Sequence, residues 1–140
     1  MSEKIRARTR QFYDEVINTG ALDRIDEFLT EDFVDHEEFP GIPSDREGVK
    51  QFFSMMRSAF PDFRIDIEDI LVEGDRVAVH LRLTGTHEGE FMGIAPTHKR
   101  IDVEGGDFLR IVDEERAAEH WGVTDVMTLM QQLGAVPAPA

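Results

Sequence analysis

The sequence contains no cysteine and no long apolar run. Without cysteine, the chain can form no disulfide bond, no thiolate metal site and no cysteine nucleophile. No apolar segment approaches the ~20 residues that a membrane-spanning helix needs. The N-terminal residues MSEKIRARTR also lack the apolar core of a secretion signal. We therefore expect a cytoplasmic protein that does not enter a membrane.

Basic residues are also few. The chain has 15 Lys and Arg against 29 Asp and Glu, which gives a formal net charge of −14. Nucleic acids and anionic lipids are bound through clustered Lys and Arg, so neither is an expected partner. The sequence has no glycine-rich phosphate loop and no Gly-x-Ser-x-Gly nucleophile elbow. Phosphate-loop and serine-hydrolase chemistry are therefore not predicted.

The apolar content is sufficient for a folded core. Of the 140 residues, 41% are hydrophobic, and ten are phenylalanine. Single domains commonly have about 100–200 residues. We predict one domain over residues 1–140, with a core at about 5–134 and a frayed tail at 135–140.

Three helices are predicted in the first half of the chain. Apolar residues recur at helical spacing over residues 5–17, and Gly20 suits the left-handed position that ends a helix. A short second helix is indicated over residues 22–29. Residues 33–41 contain Pro and Gly and are expected to be irregular. A third helix follows and ends at Pro61.

Two helix starts carry capping signals. Ser44 and Glu47 have the spacing of a capping box before the third helix. Thr124 is predicted to cap a closing helix, which ends at Gly134.

After Pro61 the apolar period changes from 3.6 to 2, which indicates strands. The segments with this pattern are 63–72, 76–86, 99–112 and 117–123. Glu73-Gly74-Asp75 predicts a hairpin turn, and Gly105-Gly106 predicts a bulge or bend. Val77, Val79, Leu81 and Leu83 are predicted to share one face of their strand.

These elements predict an α+β fold in which a curved antiparallel sheet packs on three N-terminal helices, with a short C-terminal helix. A sheet closed on one side by helices forms a cone, and its interior can hold an apolar ligand of modest size. The opposite face of the sheet is a candidate dimer surface.

Short motifs occur in a defined order over about residues 5–134. They are FVDHEEFPG at 33–41, REGV at 46–49, GTHEG at 85–89, GIAPT at 93–97, FLRIVD at 108–113, EHW at 119–121 and QQLG at 131–134. Together they resemble the SnoaL-like polyketide cyclases of the nuclear-transport-factor-2-like (cystatin-related) superfamily. The resemblance implies the cone-shaped fold, a homodimer and chemistry without a cofactor. In that chemistry an acid/base residue removes a proton alpha to a carbonyl, and the enolate closes a ring.

Asp107 and His120 are predicted catalytic residues. Asp107 interrupts the apolar set of its strand, which aims a carboxyl group at the core, where the resemblance implies a histidine. His120 occupies a histidine position of the family motif and could exchange protons with Asp107 or orient it. The structural alternatives are a buried acid paired with an arginine or backbone amides, and a half-exposed histidine bonded across the sheet.

His36 is the third predicted catalytic residue. The resemblance places its loop at the mouth of the cone, where an imidazole could polarise a ligand carbonyl. The alternative is a solvated histidine beside Glu37 and Glu38. These three adjacent residues are of metal-ligand type, but adjacent residues rarely converge on one ion, so we predict no metal site and no cofactor.

The substrate-binding residues are predicted to be polar or aromatic groups around the cone. Tyr13, the only tyrosine, could donate a hydrogen bond to an enolate oxygen, although Phe12 continues the apolar helix stripe more regularly. Core packing is the alternative for the apolar members. The full predicted set is Tyr13, Asp35, Phe53, Met56, Phe91 and Trp121.

One position departs from the family pattern. The resemblance implies an acid/base aspartate where this chain has Gly122, and glycine cannot transfer a proton. Either Asp107 or His36 has become the base, or aldol closure is lost. We predict a cofactor-independent acid/base enzyme that acts on a small apolar carbonyl compound. The alternative is a non-catalytic ligand-binding or dimer-scaffold protein of the same fold.

Overall fold

The computed structural model describes residues 2–139, so the first and last residues of the predicted domain lie outside the described residues. None of the helices in this range is long and apolar enough to span a membrane. The elements in chain order are α1 (Ser2–Gln11), a π-helical segment (Phe12–Ile17), a 3₁₀ segment (Leu22–Glu27), β1 (Leu29–Asp35), α2 (Arg46–Ala59), β2 (Arg64–Glu73), β3 (Arg76–Thr86), β4 (Arg100–Val112), β5 (Arg116–Thr124) and α3 (Val126–Leu133).

The five strands form one mixed sheet in the order β1-β5-β4-β3-β2. Strands β2 to β5 pair antiparallel, whereas β1 pairs parallel to β5. The α+β class is confirmed, but the prediction of a purely antiparallel sheet was wrong, and so was the irregular structure predicted for residues 33–35, which belong to β1. The partner of β1 lies more than 80 residues later in the chain, so local turn signals could not reveal it.

The core lies between the inner face of the sheet and the helices. As predicted, Val77, Val79, Leu81 and Leu83 share one face of β3, and all four are buried. The pairing register shifts between Arg110 and Ile111 in β4, where it pairs with β5. Such irregularities add twist and curvature to a sheet.

The predicted bulge at Gly105-Gly106 is absent. Both glycines pair in continuous register with β3 and β5. A Cβ at Gly105 would lie 3.0 Å from Leu81 Cδ1 and 3.2 Å from Leu83 Cδ1. Close packing under β3, and not a break in the ladder, therefore requires a small residue here.

The helix caps lie one residue later than predicted. Asp45 Oδ1 accepts a hydrogen bond from Gly48 N at 2.9 Å, and Asp125 Oδ1 accepts one from Thr128 N at 3.1 Å. Aspartate caps a helix as well as serine or threonine does, so neighbouring candidates could not be ranked from sequence. Gly134 ends α3 with φ +79°, as predicted.

The first helix changes its geometry before it reaches the site. After α1 the chain continues as a π-helix, in which Asn18 N donates a hydrogen bond to Tyr13 O, five residues earlier. A π-helical turn holds more residues than an α-helical turn, and such segments often occur at functional sites. Because the π-helical turn changes the direction in which successive side chains point, Tyr13 is only 2% exposed, while Phe12 is half-buried.

Candidate active site

The centre of the site is the imidazole of His120, which lies between two carboxylates. Its Nδ1 donates to Asp35 Oδ1 at 2.8 Å, and its Nε2 donates to Asp107 Oδ1 at 2.7 Å. The three side chains come from β5, β1 and β4, which are neighbouring strands of the sheet. Asp35 is the direct partner of His120 in the parallel pair that the sequence did not predict. The ring is therefore fixed at both nitrogens.

Tyr13 is the fourth member of this series of hydrogen-bonded side chains. Its hydroxyl group donates to Asp107 Oδ2 at 2.5 Å. Burial, followed by the negative charge of Asp107, raises the pKa of Tyr13 well above its ordinary value. The phenol therefore keeps its proton and acts as a donor. We call Tyr13, Asp107, His120 and Asp35 the proton network.

The two carboxylates decide the charge of His120. Burial lowers the pKa of the imidazole, but the hydrogen bonds to Asp107 and Asp35 outweigh burial and raise the pKa to about 10. At neutral pH the ring is therefore an imidazolium that donates from both nitrogens. In that state it can orient and neutralise the carboxylates, but it cannot accept a proton.

A third carboxyl group reaches the network from the loop after β1. Glu37 Oε2 accepts a hydrogen bond from Thr124 Oγ1 at 3.2 Å, and Glu37 Oε1 lies 4.0 Å from His120 Nε2. The Glu37 backbone N–H donates to Asp35 Oδ1 at 2.9 Å, which fixes the turn. Burial and the charge of Asp107 raise the pKa of Glu37 above its ordinary value.

The sequence analysis did not predict a catalytic role for Glu37, which it considered only as a solvated loop residue or as one of three adjacent residues of metal-ligand type. The signal that could have found it is the two-residue period of strands, which puts Asp35 and Glu37 on one side of an extended chain. That signal depends on recognising β1 as a strand.

Glu37, Asp107 and His120 have the residue types of a metal site. One ligand atom of each lies within 4.8 Å of the others. A metal ion on His120 Nε2 would have to replace the proton that this nitrogen donates to Asp107. Without a metal ion, the raised pKa of His120, about 10, keeps the ring protonated at neutral pH.

His36 and Trp121 lie away from the proton network. Their side chains are on the opposite face of the sheet from His120, where the two rings stack with centroids 4.8 Å apart. His36 Nε2 bonds to Glu119 Oε2 at 3.1 Å. The alternation of strand β5 places Glu119 and Trp121 together and His120 opposite. The structure therefore does not bring His36 to the predicted catalytic pair.

The three predicted apolar lining residues differ in burial. Met56 and Phe91 are 2% and 4% exposed and belong to the core. Phe53 is half-buried on α2, beside Phe52. Two cavities stand out in the part of the chain that the structure describes, and neither contains a side chain of the proton network or Glu37. A ligand cavity at the network thus stays a prediction.

Comparison with known proteins identifies the family of this chain. The sequence model of the SnoaL-like polyketide cyclases matches residues 7–133, which is most of the chain. The chain belongs to the SnoaL-like polyketide cyclase family. A curated relative is the nogalonic acid methyl ester cyclase of Streptomyces nogalater, which is 29% identical over 120 residues, or 84% of this chain and 88% of that protein.

Solved structures show the same SnoaL-like fold. A candidate polyketide cyclase from Bacillus cereus ATCC 10987 is 34% identical with a TM-score of 0.82, covering 95% of this chain and 82% of that one. AclR, a candidate hydroxylase from Streptomyces galilaeus, is 31% identical with a TM-score of 0.86, covering 100% of this chain and 86% of that one. The fold is thus shared by proteins to which different reactions have been assigned.

The state of His120 predicts how the stability of this SnoaL-like protein depends on pH. The pKa is about 10 in the folded chain, and it is about 6.5 for a histidine in an unfolded chain. The stabilisation is therefore complete below pH 6.5, is lost progressively as pH rises, and is absent above pH 10. We expect the free energy of unfolding, measured by urea denaturation, to fall by a few kcal/mol across this window.

His120→Gln tests whether His120 causes this decline, and His80→Gln is the matched control. His80 is an exposed histidine on the outer face of β3 that bonds to Glu104. The decline should persist in His80→Gln and flatten in His120→Gln. An equal decline in both variants would assign it to other groups that titrate at high pH.

Proposed function

We propose that this SnoaL-like protein is a cofactor-independent acid/base enzyme that acts on a small apolar carbonyl compound. The proton network is the observation that supports the proposal. The side chains of Asp35, Asp107 and His120 are only 16–19% exposed, and hydrogen bonds fix their positions. Carboxylates withdrawn from water are suited to proton transfer, and fixed donors can stabilise charge that develops in a reaction.

The proposed reaction is an aldol ring closure or a related isomerisation. A carboxylate removes a proton from the carbon alpha to a carbonyl, and the electron pair of the C–H bond forms an enolate. For ring closure, the enolate carbon attacks a second carbonyl, whose oxygen then takes up a proton. Asp107 serves as the base or as its partner, His120 orients the carboxylates, and Tyr13 holds Asp107 in place through its hydroxyl group.

The proposed substrate class is based on a set of aromatic rings that begins in the loop after β1 and on the named relative. Three half-buried aromatic rings continue from the loop that carries Glu37 on to α2, with centroids 5.5 and 5.2 Å apart. They are Phe39, Phe52 and Phe53. Such rings suit a flat, apolar compound. Because the relative is a cyclase of nogalonic acid methyl ester, a polyketide ester is the first compound to test.

The non-catalytic alternative depends on Gly122 alone, since a glycine there removes one carboxyl group. The chain nevertheless groups three carboxyl groups around His120 on the inner side of the sheet. Burying charged groups costs free energy, and a scaffold for apolar ligands has no need of them. The network therefore favours the enzyme.

Asp107→Asn tests the proposed function. The amide keeps the shape of the side chain but cannot hold the charge that the network needs. We expect turnover of nogalonic acid methyl ester to fall by at least about 100-fold. Asp102→Asn is the matched control, because Asp102 lies on the same strand and is exposed, paired with Arg82. Activity in Asp107→Asn equal to that of the control would end the assignment.

We also propose that the protein is a homodimer that associates through the outer face of the sheet. A row of apolar side chains crosses four paired strands on this face, namely Leu71, Ala78, Phe108 and Trp121. Leu71 is 64% exposed and Phe108 is 46% exposed. Exposed apolar rows of this kind are typical of contact surfaces between subunits.

Phe108→Glu tests the dimer. A charge in the middle of the apolar row should oppose association, so light scattering should change from about twice the 16.0 kDa chain mass to a single chain mass. Met127→Glu is the control, because Met127 is 64% exposed but lies on α3. A wild-type protein of single chain mass would contradict the proposal, as would a dimer that survives Phe108→Glu.

A further inference from the structure

The space above Gly122 is occupied by the carboxyl group of Glu37. A Cβ placed on Gly122 would lie 2.1 Å from Glu37 Oε1 and 2.8 Å from Glu37 Cδ. Real Cβ atoms do not approach another atom so closely, so a side chain at position 122 and the observed Glu37 conformation exclude each other. The glycine is therefore what allows Glu37 to reach His120.

Glu37 differs from Asp107 in its hydrogen bonds and from Asp35 in its exposure. Both oxygens of Asp107 accept hydrogen bonds, one from Tyr13 and one from His120. The hydrogen bonds to Asp35 come from His120 Nδ1 and Glu37 N and both go to Oδ1, and the Asp35 side chain is only 19% exposed. Within residues 2–139, Glu37 Oε1 accepts no hydrogen bond, and the Glu37 side chain is 34% exposed. Its free oxygen is thus the more open to an entering molecule.

The charges around Glu37 favour a group that both takes up and releases a proton. Partial burial raises the pKa of Glu37, and so do the nearby negative charges, whereas the imidazolium of His120 and the Thr124 hydrogen bond lower it. The net effect is a rise. The titratable groups around it are Asp35 on β1, Asp107 on β4, His120 on β5 and Tyr13 on the π-helical segment. A carboxyl group with a raised pKa is a stronger base once ionised.

We propose that Glu37 is the catalytic acid/base residue of this chain and that Asp107, His120 and Asp35 are positioning residues. The proposal rests on the proposed function, and it names the group that carries the proton. Glu37 Oε1 takes the proton alpha to the carbonyl, and the C–H electron pair becomes the enolate. The enolate carbon bonds to the second carbonyl carbon, whose π pair moves to its oxygen. That oxygen takes the proton from Glu37, which restores the carboxylate.

Glu37→Gln is the direct test, with nogalonic acid methyl ester as the probe. We expect kcat/KM to fall at least about 100-fold, while Glu38→Gln, an exposed neighbour, stays within about twofold of the wild type. Asp107→Asn is measured in parallel. Loss in Asp107→Asn with full activity in Glu37→Gln overturns the role of Glu37 and keeps the proposed function. Full activity in both variants overturns both.

A second measurement needs neither substrate nor turnover. Carbon-13 NMR follows the Glu37 carboxyl group through a pH titration in the wild type and in Gly122→Ala. We expect its pKa to lie above about 4.3, the ordinary value for glutamate, and to move toward that value when the added methyl group displaces the carboxyl group. An ordinary pKa in the wild type, unchanged by Gly122→Ala, would refute the proposed role of Glu37.

A double variant tests whether a carboxyl group at this point in space is sufficient. Glu37→Ala removes the carboxyl group that a Cβ at position 122 would meet, which leaves only His120 Cε1 at 2.8 Å to move aside, and Gly122→Asp then returns a carboxyl group from β5. We expect Glu37→Ala/Gly122→Asp to recover at least about tenfold in kcat/KM over Glu37→Ala alone. A double variant no faster than Glu37→Ala would count against proton transfer at this location.

Discussion

The site depends on one interaction, the imidazolium of His120 held between Asp35 and Asp107. Three carboxyl groups lie beside this ring in a chain that already carries a formal net charge of −14. Like charges at such distances repel strongly when they are withdrawn from water. The cationic ring offsets that repulsion and joins β1, β5 and β4 at one point. Tyr13 and Glu37 are then added to this centre from the π-helical segment and from the loop after β1.

The same interaction separates the groups that hold position from the group that can react. Asp107 is bound at both oxygens by His120 and Tyr13, and His120 is bound at both nitrogens. Side chains held in this way form a rigid, charged group. Glu37 lies beside this group on the loop after β1, and its Oε1 makes no hydrogen bond to the described residues. Buried ion pairs add little net stability, so a network of this kind is better explained by function.

Position 122 links the resemblance to the structure. The family resemblance implies an aspartate there, and its replacement by glycine left two alternatives: another residue has become the base, or aldol closure is lost. The space is instead filled by a carboxyl group from another part of the chain, with Glu37 Oε1 2.1 Å from where a Cβ would be. A change at one position of a motif therefore does not show that a charge is missing from a site.

Much of the fold could be predicted from sequence because it depends on local patterns. The strand periodicity that buries Val77 and Val79, and the glycine that ends α3, are visible within a few residues. The meeting of Asp107 and His120 could also be anticipated, since Asp107 interrupts an apolar strand face and the family resemblance implies a histidine at position 120. The parallel strand β1 could not, because its partner is distant in sequence. Without β1, Glu37 was not predicted to be catalytic, whereas the resemblance placed His36 at the mouth of the cone.

Tyr13 shows a second limit of local patterns. An α-helical period favours Phe12 for the buried face, and only the π-helical turn brings Tyr13 fully inward. The insertion of extra residues into a helical turn leaves no regular signal in the sequence. Local reasoning therefore finds the secondary structure, whereas the exact set of groups in the site depends on distant pairings and irregular turns.

The most direct test of the central interaction is nitrogen-15 NMR of the His120 ring in the wild-type protein. At pH 8 we expect both ring nitrogens to carry a proton, with titration only near pH 10. Two protonated nitrogens would establish the imidazolium between its two carboxylates. A neutral ring at pH 8 that titrates near 6.5, the ordinary value for histidine, would contradict it.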